Sequence, residues 1–100
     1  MNQDIRSVHF IGICGTAMAS TAAAMKERGF QVTGSDEGVY PPMSTFLESR
    51  GIEVRSPFDP ANLPTDVDLV VVGNAMSRGN VEVELTLASR LRYTSLPELL

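Results

Sequence analysis

The chain has 100 residues, one cysteine and one histidine. A single thiol excludes an internal disulfide framework, and one thiol with one histidine cannot close a zinc site without carboxylates or a partner chain. Cationic residues are scarce: eight Lys and Arg stand against twelve Asp and Glu, for a formal net charge of −4. They form no basic cluster, so the footprint of a nucleic-acid binder is missing. No apolar run approaches the ~18 residues of a membrane span, and no signal peptide opens the chain. A cytoplasmic protein with no membrane partner is therefore expected. The phosphate loop G-x-x-x-x-G-K-[ST] is absent, and with it that way of binding ATP. No nucleophile has a paired general base, and no metal cluster is visible, so no catalytic residue and no metal ligand is assigned.

What remains is ordinary for a globular domain: 43% apolar and 20% charged residues, without repeats or low-complexity segments. Continuous apolar runs predict buried strands at Val8–Ile13 and Leu69–Val72, with shorter strands at Gln31–Ser35, Ile52–Arg55 and Tyr93–Ser95. Helices are predicted over Thr16–Arg28 and Met43–Arg50, and from Asn80, as cap, through about Leu91. Their inward stripes read as Met18, Thr21, Ala22 and Met25; Met43, Phe46 and Leu47; and Val81, Leu85 and Ala88. Ser56–Asp68, with three prolines, reads as loop or a short helical turn. The alternation implies an α/β, Rossmann-like open parallel sheet of about five strands, order 3-2-1-4-5, with helices on both faces. The apolar Leu99-Leu100 ending suggests a domain cut from a longer protein.

In such a sheet, ligands bind beyond the carboxyl ends of the strands where the strand order reverses. Three segments should meet there: Gly12–Met18, Gly34–Ser44 and Gly73–Asn80. Gly12-Ile13-Cys14-Gly15-Thr16-Ala17 is a departure from the dinucleotide fingerprint G-x-G-x-x-G/A. Gly12 makes the turn and Ala17 fills the third position, but Cys14 occupies the second, where glycine lets a pyrophosphate touch the backbone. Free amides from Cys14 to Ala17 at a helix start still suit an anion. Cys14 is expected to offer its backbone N–H and a small apolar side chain. Asp36 ends the second strand, where a carboxylate reaches a ribose hydroxyl, with Ser35 beside it. Tyr40-Pro41-Pro42 forms a stiff aromatic-bearing loop next to Asp36 that suits the wall of a base pocket or a helix entry. Asn74, Ser77, Arg78 and Asn80 follow the fourth strand, with groups that suit a sugar and phosphates. His9, inside the first strand, reads as a satisfied core histidine rather than a catalytic one.

"HFIGICGTAM", "TGSDEGVYPPMSTFLESRGI" and "VVVGNAMSRGN" together resemble the N-terminal domain of the Mur ligases, over nearly the whole chain from about Val8. The resemblance implies a three-domain ATP-dependent amide ligase. Residues 1–100 would be its single UDP-sugar-binding N-terminal domain. A middle domain would hold ATP and Mg2+, and a last domain the amine substrate. This segment alone would bind no cofactor and turn nothing over. The implied chemistry is phosphorylation of the lactyl carboxylate of UDP-N-acetylmuramate to an acyl phosphate, followed by attack of an amine. The branch it looks most similar to joins the murein tripeptide L-Ala-γ-D-Glu-meso-diaminopimelate to UDP-N-acetylmuramate in peptidoglycan recycling. The sister branch, which adds L-alanine, is the alternative. By the same resemblance, Cys14, Gly15, Thr16, Ala17 and Met18 face the diphosphate and uridine, and Ser35 and Asp36 lie near the uridine. Asn74, Ala75 and Ser77 line the nucleotide-sugar, with Arg78 as a phosphate or sugar contact. From the residues alone, an NAD(P)-binding domain and a scaffold module without a ligand stay open.

Overall fold

A computed structural model describes residues 5–73 and 79–96. Its strands are β1 (Ser7–Ile11), β2 (Gln31–Ser35), β3 (Glu53–Arg55), β4 (Leu69–Val72) and β5 (Tyr93–Ser95). Its helices are α1 (Thr16–Glu27), α2 (Met43–Ser49) and α3 (Val81–Ala88), with a single 3-10 turn at Pro60–Asn62. The strands form one parallel sheet in the order β3-β2-β1-β4-β5, as the alternation predicts. β1 is central, pairing Val8 with Val32 on one side and with Leu69 on the other.

Strand alternation sends neighbouring side chains to opposite faces. Val8 and Phe10 of β1, Val32 of β2, and Leu69 and Val71 of β4 pack with Met18, Ala19 and Ala22 of α1 and Leu47 of α2. Ile11 and Val70 face the other way, against Leu63 and Val83 of α3. Helices thus cover both faces. Phe10, Ile11, Val70 and Val71 are fully buried, each worth about 1.5–3 kcal/mol of transfer free energy. At the opposite end of the sheet from the candidate site, Asp68 Oδ2 accepts the N–H groups of Arg6 (2.9 Å) and Ser7 (3.0 Å). Those two bonds hold its carboxyl below the usual range.

Two boundaries differ from expectation by more than one residue. β1 ends at Ile11, not Ile13, because Gly12 turns left-handed (φ 88°) and leaves the ladder. α3 stops at Ala88, short of Leu91, and Arg90 follows with φ 57°. Its inward face also differs. Val81 and Ala88 are exposed, whereas Glu82, Val83 and Thr86 are buried. A buried polar network, described below, sets that rotation.

Candidate functional site

The turn between β1 and α1 is pinned to the carboxyl end of β2. Gly12 and Ile13 both donate N–H to Ser35 O, at 2.8 and 3.0 Å. Ile13 then buries its side chain over Gly34, so closely that a Cβ at position 34 would fall 2.3 Å from Ile13 Cδ1. Only glycine fits there.

The turn's other anchor is Asp36. Its Oδ2 accepts Cys14 N–H at 2.9 Å, and its Oδ1 accepts Glu37 N–H at 2.8 Å. This corrects the expectation for Cys14: its N–H is spent on the protein and is not available to a ligand. Gly15 N–H is also used, donating to Gly12 O at 3.3 Å. The Cys14 thiol is half-buried, and its pKa is raised, first by burial and then by the Asp36 charge. It stays protonated and is no nucleophile.

Free donors begin one residue further on. Gly15 caps α1 with φ −65° and ψ 148°, no side chain caps the helix, and no acid sits in its first turn. The first helical bond runs from Ala19 N–H to Gly15 O. The N–H groups of Thr16, Ala17 and Met18 have no acceptor among the described residues. α3 is different. Asn80 Oδ1 accepts Glu82 N–H (2.9 Å) and Val83 N–H (3.3 Å), and Glu84 Oε2 accepts Gly79 N–H. α1 therefore presents three unpaired donors and the positive end of its dipole at the switch point between β1 and β4. Thr16 and Ala17 are exposed, whereas the Met18 side chain is core, reaching towards Gly73 at the end of β4. Met18 offers a ligand its N–H and not its thioether.

Ser35 does not reach the crevice with its side chain. It is fully buried on the α3 face, and its Oγ donates to Glu82 Oε1 at 2.6 Å. The same oxygen meets His9 Nε2 at 2.9 Å, and His9 Nδ1 meets Thr33 Oγ1 at 2.8 Å. An ionised carboxylate only accepts, so Nε2 carries the proton. Glu82 Oε2 accepts Asn62 Nδ2 (2.7 Å) and Asp59 N–H (3.1 Å). Burial alone would raise the Glu82 carboxyl. The hydrogen bonds from His9, Ser35, Asn62 and Asp59 outweigh it and hold the group below its usual value. His9 is thus the satisfied core histidine the sequence suggests. Glu82 escapes sequence reasoning, and the available signal is a lone strand histidine that needs a buried partner.

The expectations for Asn74, Ala75, Ser77 and Arg78 lie outside the described residues. On either side of them, Gly73 N–H donates to Ile11 O at 3.1 Å, and Asn80 caps α3. Among the described residues, no three His, Cys, Asp or Glu side chains group to hold a metal ion. No described helix is long and apolar enough to cross a membrane.

The family model described as "Mur ligase family, catalytic domain" matches residues 7–100. The chain belongs to the Mur ligase family. It is 52% identical over 94 residues to the UDP-N-acetylmuramate–L-alanyl-γ-D-glutamyl-meso-2,6-diaminoheptandioate ligase of Haemophilus influenzae, covering 94% of this chain and 21% of the relative. It is 40% identical to the UDP-N-acetylmuramate–L-alanine ligase of Lactobacillus johnsonii, covering 93% of this chain and 21% of the relative. A crystal structure of a murein peptide ligase from Psychrobacter arcticus superposes with a TM-score of 0.88 at 48% identity, covering 93% of this chain and 19% of that one. The chain therefore spans about a fifth of these Mur ligases, and its sheet is theirs.

Proposed function

We propose that this Mur ligase chain is the UDP-sugar-binding domain, residues 1–100, of an ATP-dependent ligase that acts in the cytoplasm. The observation behind this reading is the start of α1, where three N–H groups lack acceptors among the described residues, beside a turn braced by Asp36. The diphosphate of UDP-N-acetylmuramate binds the N–H groups of Thr16, Ala17 and Met18, and Thr16 Oγ adds a side-chain donor. Gly15 keeps the approach open. Its backbone conformation does not demand glycine, and a Cβ there meets nothing nearer than Gly12 O at 3.7 Å. Asp36 holds the turn and has lone pairs left for a ribose hydroxyl.

The amine substrate in this reading is the murein tripeptide. Identities of 52% and 48% to ligases of that substrate, against 40% to the L-alanine ligase, favour it. ATP and Mg2+ bind outside this chain and supply the phosphoryl group that activates the lactyl carboxylate. The domain's own task is to hold and orient the nucleotide end. A nicotinamide dinucleotide fits less well: the second fingerprint position carries the Cys14 side chain, and its N–H is already bonded to Asp36.

Calorimetry on the full-length protein tests this. UDP-N-acetylmuramate should bind and NAD should not. Gly15→Val should lower the unfolding midpoint only slightly, as expected at a helix cap, and weaken UDP-N-acetylmuramate at least tenfold. Binding of NAD alone, or normal affinity in the Gly15→Val variant, refutes the assignment.

A further inference from the structure

Tyr40 exposes 68% of its surface, and the other large apolar side chains exposed among the described residues are Val81 and Tyr93. Tyr93 opens β5, in register with Val70, away from the candidate site. Tyr40 instead follows the carboxyl end of β2, four residues after Asp36, so at most about 14 Å of chain separates them. The loop between them is held at both ends. Asp36 is bonded through its carboxylate to Cys14 and through its N–H to Arg55 O at 3.1 Å. Tyr40 O accepts Ser44 N–H at 3.1 Å, and Pro41 and Pro42 restrict the backbone between. The ring is placed as well as exposed. A Cβ at Gly38 would come 3.0 Å from Tyr40 Cε2 and 3.3 Å from its Oη, so one edge of the ring lies against the Gly38 backbone. No hydrogen bond engages its hydroxyl, and no side chain covers it, among the described residues.

An exposed aromatic ring on the loop that leaves the carboxyl end of β2, the same edge of the sheet from which α1 starts, offers its face to a flat partner. We infer that Tyr40 is the stacking platform for the uracil of the bound nucleotide. This rests on the UDP-sugar reading and adds to it the group that receives the base. Stacking on a tyrosine is worth roughly 1–3 kcal/mol per base and depends on the ring face, not on the hydroxyl.

Equilibrium binding of UDP-N-acetylmuramate and of UDP to the full-length protein, with unfolding midpoints for each variant, tests the assignment. Tyr40→Ala should raise Kd for both ligands about tenfold with an unchanged midpoint. Tyr40→Phe and Tyr40→Trp should stay within about threefold of the parent. Parental affinity in Tyr40→Ala overturns the inference, and so does a loss in Tyr40→Phe as large as in Tyr40→Ala, which would mark the hydroxyl as the contact. If the parent protein binds neither ligand, the UDP-sugar reading itself falls, and the platform with it.

Discussion

Glu82 joins β1, β2, the 3-10 turn and α3 through one carboxylate, with donors from His9, Ser35, Asn62 and the Asp59 backbone. Its pKa is lower in the folded protein than in the unfolded chain. The stabilisation it supplies is therefore present above the unfolded carboxyl pKa and is lost as pH falls through the folded value. Glu82→Gln should cost about 2–3 kcal/mol in urea unfolding at neutral pH. The gap from the parent should narrow as pH drops below the ordinary carboxylate range, and a gap independent of pH would show that charge is not what the network uses. A period count on α3 selects Val81, Leu85 and Ala88 as inward because it ranks apolar residues above a carboxylate. It cannot register that His9 and Ser35, far away in sequence, make burial of Glu82 the better arrangement. The same gap explains Cys14, whose amide partner Asp36 lies 22 residues on.

The β1–α1 turn and the end of β2 act as one element, because Ile13 packs on the bare backbone of Gly34. Gly34→Ala should therefore destabilise the protein by about 1–3 kcal/mol through overpacking, measured by thermal or urea unfolding. Trimming the neighbour should recover part of it: in a double-mutant cycle with Ile13→Val, the combined cost should fall below the sum of the singles. Additive costs would mean the two residues do not press on each other. β2, β4 and β5 lie where their apolar and turn signals put them. β1 runs shorter than its apolar stretch, since Ile13 is apolar for a contact beyond the ladder. Hydrophobicity marks what is buried, not which residues keep strand hydrogen bonds.

For the molecule as a whole, the alternation of elements implies the parallel sheet, and the Rossmann-like order expected for it, with the switch point between β1 and β4, is the one observed. The site's location follows from that topology. Its donor set does not, because pairing within the turn removes the Cys14 and Gly15 amides and leaves those of Thr16, Ala17 and Met18. Family membership and a TM-score of 0.88 to a murein peptide ligase agree with the sheet and its strand order. Backbone amide NMR on the full-length protein, titrated with UDP-N-acetylmuramate, reads those donors individually. The largest downfield amide-proton shifts should fall on Thr16, Ala17 and Met18, with Cys14 moving less because its bond to Asp36 persists. Saturating ligand that leaves those three amides unmoved would contradict the assignment of the α1 start as the diphosphate cradle.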